Sequence, residues 1–244
     1  MFKTKNSIFL YLALFTSLVM LSGCIFVRML NVKDQLNDFD TNFDLNDEKG
    51  LTLVFKNPVL LSDDVIWLMK GSPGSVKLIE ESEQWTYVFQ KQHTTSQEEG
   101  DEYDIPIVMV MEEDKLTEIT FPERFLKNLS VPVLKKMLSS MGNADVSKFK
   151  RSASSKYVGE DTTGIPTSDN VMETLGEPYE LEVGDEKSQL SYLYYLEDAT
   201  GNADRDNLNL ELWFVADNDD KSLKSVGGKI RGIKLYLDFD TPQE

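Results

Sequence analysis

The side chains with the strongest chemistry are scarce in this chain. Among 244 residues there is one cysteine, Cys24, and one histidine, His93, set against 42 Asp+Glu. A Cys/His zinc site, an iron–sulfur cluster or an internal disulfide needs at least two such groups, so none of these is expected, and no cofactor or metal ligand is assigned. An all-carboxylate metal site stays open. His93 lies in the polar stretch Lys91–Gly100 between two strand-like segments and reads as a solvated hairpin residue, without a second His to complete a nucleophile system. Gly71-Ser72-Pro73-Gly74 breaks the Gly-x-Ser-x-Gly elbow, no Gly-rich phosphate loop follows a strand, and no spacing singles out a Ser–Lys dyad. Paired carboxylates are the one catalytic option that composition leaves, and no pair stands out. The reading is therefore non-enzymatic.

The one cysteine has a different context. Lys3 and Lys5 precede an uncharged apolar run of 13 residues, Ile8 to Met20, and then Leu21-Ser22-Gly23-Cys24. A helix needs about 20 residues to cross a bilayer, so the run fits the core of a secretory signal better than a permanent span. Small residues directly before a lone Cys resemble the lipobox of bacterial lipoproteins. That resemblance implies cleavage before Cys24, lipidation of its thiol and amino group, and a membrane partner held through the anchor on Cys24. Ile25, where an Asp would favour inner-membrane retention, implies a periplasm-facing place at the outer membrane. Losing Lys3 and Lys5 takes the formal charge from −17 to −19 over residues 24–244. Such a charge excludes a sizeable nucleic-acid surface and is repelled by anionic lipid, so the folded part stands off the bilayer.

The elements beyond the anchor repeat themselves. Residues 31–48 are rich in Asp and Asn and read as a flexible or partly helical stem. Asp38-x-Asp40-x-Asn42 opens like a calcium loop, but the Gly and Glu that the loop demands are Phe43 and Lys49; Asn202-x-Asp204-x-Asp206 fails in the same way at Asn207 and Trp213. Both read as solvated turns. Ser62–Pro73 and Thr167–Pro178 then share one grammar: a polar cap, an apolar helical turn or two, and a Gly-x-Pro ending. Tyr87 lies 14 residues after Pro73, and Tyr192 lies 14 after Pro178. Trp85–Phe89 and Leu190–Tyr194 alternate with period two, which predicts strands with one core face. Ile105–Met111 and Leu208–Val215 follow as second strands, and Lys115–Ile119 and Lys229–Ile233 as third strands. Each half reads as a helix and a three-stranded meander.

Between the halves, the apolar spacing of Val131–Met141 predicts a helix within 126–150, and the Ser-rich 152–164 reads as a linker. The chain thus divides into a signal peptide (1–23), a lipidated N-terminus and acidic stem (24–50), a first α+β domain (51–125), a connecting helix and linker (126–164) and a second α+β domain (165–244).

A lipobox followed by a helix ending in Leu-Gly-x-Pro, an aromatic strand, an apolar strand and a Lys-aliphatic third strand is similar to the SmpA/OmlA/BamE family of small outer-membrane lipoproteins. The likeness rests on Val171–Pro178, Tyr192–Tyr194, Phe214 and Lys229–Ile233, and more loosely on Val65–Pro73, Trp85–Phe89 and Lys115–Ile119. It implies two tandem BamE-like α+β domains, each a helix plus a three-stranded antiparallel meander, and a protein partner in envelope assembly or maintenance. The tandem also resembles secreted β-lactamase inhibitor proteins, and the acidity fits an alternative role as an inhibitor or immunity lipoprotein capturing a basic enzyme.

Overall fold

A computed structural model describes residues 25–48, 50–94, 100–159, 164–198, 200–201 and 210–240. Cys24 and the segment before it lie outside these residues, as do residues 202–209 of the second calcium-like motif. Residues 25–36 form helix α1, followed by the short α2 (Phe39–Asn42) and the hairpin β1 (Phe43–Asn46) and β2 (Leu51–Phe55). Then come α3 (Ser62–Met69), β3 (Ser75–Ile79), β4 (Ser82–Lys91), β5 (Ile105–Glu112) and β6 (Lys115–Phe121). After a 3-10 turn at Glu123–Lys127 the order returns: α4 (Val131–Gly142), β7 (Asp145–Ser147), β8 (Ser152–Lys156), α5 (Ser168–Leu175), β9 (Glu180–Val183), β10 (Lys187–Leu196), β11 (Leu210–Asp217), β12 (Leu223–Ile230) and β13 (Ile233–Asp238).

The tandem helix-plus-meander architecture is overturned. The strands form one mixed 13-stranded sheet in the order β1-β2-β6-β5-β4-β10-β11-β12-β13-β8-β7, with β3 on β4 and β9 on β10. The reason is strand length. The alternation starting at Trp85 runs on to Lys91, and that starting at Leu190 runs on to Leu196, whereas β3 covers only Ser82–Thr86 and β9 only Ser188–Ser191. The uncovered ends pair with each other, Phe89↔Leu196, Gln90↔Tyr195 and Lys91↔Tyr194, and fuse the two halves into one sheet.

The repeat itself is real and larger than a meander. Tyr87 and Tyr192 stand 105 residues apart, as do Gly71 and Gly176, and both tyrosines donate from strand to helix end: Tyr87 Oη to Gly71 O at 3.2 Å, Tyr192 Oη to Gly176 O at 2.9 Å. A register shift falls at Val110/Met111 in one half and at Val215/Ala216 in the other. The bridges Leu61↔Lys115 and Thr167↔Ser222 match as well, which places β12 opposite β6. Lys229–Ile233 is therefore not a strand of its own: it spans the end of β12, a turn at Arg231-Gly232, both at positive φ, and the first residue of β13. Each half also begins with a helix and a hairpin, α1-β1-β2 and α4-β7-β8. Ser152–Lys156, which reads as linker by composition, is strand β8, parallel to β13.

One core serves both halves. Tyr87, Phe89, Tyr192, Tyr194, Phe43, Met109, Leu190 and Val65 are fully buried in a single cluster. α4 packs on β8 and β13 at one end of the sheet order and on β1 at the other, so the sheet curls around its helices. α1 is fixed to α3 by Arg28, whose Nη2 donates to the buried Asp64 at 2.6 Å; Asp64 also accepts from the Leu61 N–H at 2.9 Å, capping α3.

Tyr192→Phe leaves the Gly176 carbonyl without its donor in a buried site and should cost about 1–2 kcal/mol. Tyr87→Phe, whose bond is longer and only part-buried, should cost less. Urea unfolding of the two variants checks the order.

Candidate functional site

The sequence-selected chemistry does not converge. His93 is half-buried on the loop after β4, with Nε2 3.2 Å from the Gly100 carbonyl. Asp40 and Asn42 belong to α2 rather than to a calcium turn: Asp40 pairs with Lys135 of α4, and the Asn42 amide donates to the Asp38 carbonyl at 2.9 Å. Among the described residues no three His, Cys, Asp or Glu side chains gather as a metal site, and no helix is long and apolar enough to cross a membrane.

What the fold assembles instead is a buried polar joint and two bare strand edges. The joint sits where β4 meets β10. Lys91 occupies an inward position of β4, in line with Trp85, Tyr87 and Phe89, and is 7% exposed. Its ammonium donates to the Leu175 carbonyl at 2.7 Å, at the C-terminus of α5, and lies 5.0 Å and 5.4 Å from the ring centres of Tyr103 and Tyr192. Arg124 closes the joint from the 3-10 turn, donating to the carbonyls of Thr174 (3.1 Å), Glu102 (3.2 Å) and Asp104 (2.6 Å). The Asp104 carboxylate in turn accepts from the Lys91 N–H at 2.8 Å.

Burial dominates the proton affinities here. It pushes the Lys91 ammonium down to about 8, against the opposing pull of Glu177 and with some help from Arg124. It lowers Arg124 as well, and raises the Asp104 carboxyl despite the Lys91 amide. Tyr87, Tyr192 and Tyr194 are all raised by desolvation. The Tyr194 hydroxyl is buried without a hydrogen-bond partner among the described residues, which costs stability. Lys91 and Arg124 turn their charged ends to backbone carbonyls and the Asp104 carboxylate turns to a backbone N–H, so the groups hold the two halves of the one sheet in register.

The surface features are the edges. β3 and β9 are exposed along their whole length. On β3, Val76 and Leu78 face the same side as Trp85 and Glu83, their partners on β4, and Leu78 is 76% exposed. On β9, Leu181 and Val183 stand opposite Leu190 and Ser188, and are 53% and 71% exposed. Apolar side chains on the core face of a sheet edge with nothing over them mark binding surfaces or aggregation hazards.

Neither the joint nor the edges stood out in the sequence. Lys91 is a charged residue continuing an apolar alternation, and Glu180-Leu181-Glu182-Val183 is a four-residue alternation one residue after Gly-x-Pro; both signals are present but short. The chain matches no family model, no curated protein and no solved structure.

The Lys91 shift makes a pH prediction. An unfolded lysine keeps its proton to near 10.4 while the folded one loses it near 8, so between these values the unfolded state binds more protons and folding stability rises with pH. Below about 8 the penalty for burying the charge is felt in full. Above 10 the raised tyrosines reverse the trend, because only the unfolded phenols ionise. Lys91→Leu, which copies Leu196 of the other half, should flatten the rise between pH 8 and 10; denaturant unfolding of both proteins across that window tests it.

Proposed function

We propose that this chain is a non-catalytic, lipid-anchored lipoprotein of the outer membrane, facing the periplasm, that binds another protein in envelope assembly or maintenance. The anchor rests on the lipobox-like Leu21-Ser22-Gly23-Cys24. The observation that carries the binding role is the pair of bare edges, β3 and β9, which occupy equivalent places in the two repeats and expose apolar residues on the core face. An edge strand offers backbone donors and acceptors in a row, and flanking apolar side chains supply the contact area for an added strand. Two such edges on one sheet suit a partner engaged at one or both.

The acidity around β9 favours a second reading, capture of a basic enzyme. Glu180, Glu182, Asp185 and Glu186 lie on or beside that strand. A negative field of this kind steers a cationic partner and speeds its encounter at low salt.

Two variants test the proposal in cells carrying the full chain. Cys24→Ala should move the protein from the membrane to the soluble fraction and remove the mass of the lipid. With the anchor intact, Val76→Lys/Leu78→Lys combined with Leu181→Lys/Val183→Lys should abolish cross-linking to the partner that the wild type captures, while circular dichroism stays unchanged because all four side chains are exposed. Retention of the same cross-links by the fourfold variant would rule out the edges as the binding surface.

A further inference from the structure

The two edges differ, and the difference points to what β9 accepts. Leu190 of β10 stands where β4 has Trp85, whose indole N–H is held by Glu83 at 2.8 Å. The smaller side chain leaves a groove of about 350 Å³ between α5 and the β9–β10 hairpin, lined by Ser168, Asp169, Met172, Leu181, Val183 and Leu190 among others. Met172, Leu181, Val183 and Leu190 supply its apolar lining, beside the polar Ser188, Asn218 and Lys221.

Charge separates the edges further. Where β3 has Ser75 and Lys77 on its outer face, β9 has Glu180 and Glu182. Asn218 ties the two neighbouring turns together, its N–H donating to the Glu186 carbonyl at 2.9 Å and its amide to the Gly184 carbonyl at 2.9 Å. This brings Asp185 and Glu186 beside Asp219 and Asp220 at one end of the strand, and Asp169 lies in the first turn of α5. Of the nearby cations, Lys187 is held by Asp240 at 3.2 Å and Lys224 by Asp217 at 3.6 Å; Lys221 lines the groove.

We propose that the edge of β9 and this groove take an extended cationic segment in which apolar residues alternate with Lys or Arg, added as a further strand. The period of two in a strand sends alternate side chains to opposite faces. One set then meets Leu181, Val183 and Met172, and the other meets Glu180 and Glu182. The assignment rests on the reading of the edges as protein-binding surfaces and names the chemistry of one of them.

The test uses blocked synthetic peptides titrated into the full chain: one alternating Val and Lys, one with Ser in place of every Val, and one with Glu in place of every Lys. The first should bind, protect β9 amides from hydrogen exchange and weaken as salt rises. Glu180→Lys/Glu182→Lys should weaken it about tenfold, and Leu181→Asp/Val183→Asp should remove it, whereas Val76→Asp/Leu78→Asp should leave it unchanged. Equal binding of the Ser peptide would overturn the proposal by reducing it to general attraction to an acidic protein. So would protection appearing on β3 instead of β9. If no peptide binds but the cellular cross-links still depend on Leu181 and Val183, this inference fails and the protein-binding role stands; if the cross-links are also insensitive, both fail.

Discussion

The structure depends on a short stretch of strand pairing at the centre of the sheet. Phe89 pairs with Leu196, Gln90 with Tyr195 and Lys91 with Tyr194, so residues 105 apart exchange roles across a local two-fold axis. The flanking backbone bonds obey the same symmetry: Gln92 N–H to Leu193 O and Glu197 N–H to Val88 O are both 2.9 Å. This is the geometry of an isologous interface, realised within one chain. It uses the lengths of β4 and β10 that β3 and β9 leave uncovered, and it joins the inner faces of both repeats into one core.

The symmetry is broken at one inward position. Leu196 lies over the end of α3, where a Cβ on Gly71 would stand 3.4 Å from its Cδ2; Lys91 lies over the end of α5, where a Cβ on Gly176 would stand 2.7 Å from its ammonium. Gly176 also has φ +72°, so any larger residue there is excluded twice. A two-residue slip of β4 against β10 keeps the inside–outside alternation, and hydrophobic patterning does not resist it. It does carry Lys91 away from the Leu175 carbonyl and the Tyr192 ring of the other half, leaving a buried charge without its acceptor. The cost of that state is the physical reason a charged residue holds the register where a second leucine would not.

The repeat was legible because it is written in helix caps and aromatic alternation, which are local: Gly71-x-Pro73 and Gly176-x-Pro178, Tyr87 and Tyr192. The single sheet was not, since it is decided by how far β4 and β10 extend beyond their hairpin partners, and the last inward residues, Lys91 and Leu196, read as strand ends. The leading elements of each repeat were hidden by composition. Residues 31–48 hold enough Asp and Asn to look like a stem, and Ser152–Lys156 contains no large apolar residue, yet it is held as a strand by backbone pairing with β13. Of the candidate site, the polar joint draws on β4, α5, the loop before β5 and the turn after β6, four places that no spacing links in advance.

Edges as apolar as these invite self-pairing, and the chain counters it through charge. Each hairpin tip beside an edge is acidic, Glu80-Glu81 on one and Asp185-Glu186 on the other, within a chain of formal charge −17. A second copy approaching either edge carries the same excess of negative charge, and that repulsion acts before any backbone bond forms. Lys77 and Glu182 then divide the two edges by sign at the same position of the repeat. Had the acidic turns served solubility alone, the outer faces of β3 and β9 need not have diverged. Their divergence gives each edge its own electrostatic character beside a similar pair of apolar residues, so the partners proposed for the two edges need not be alike.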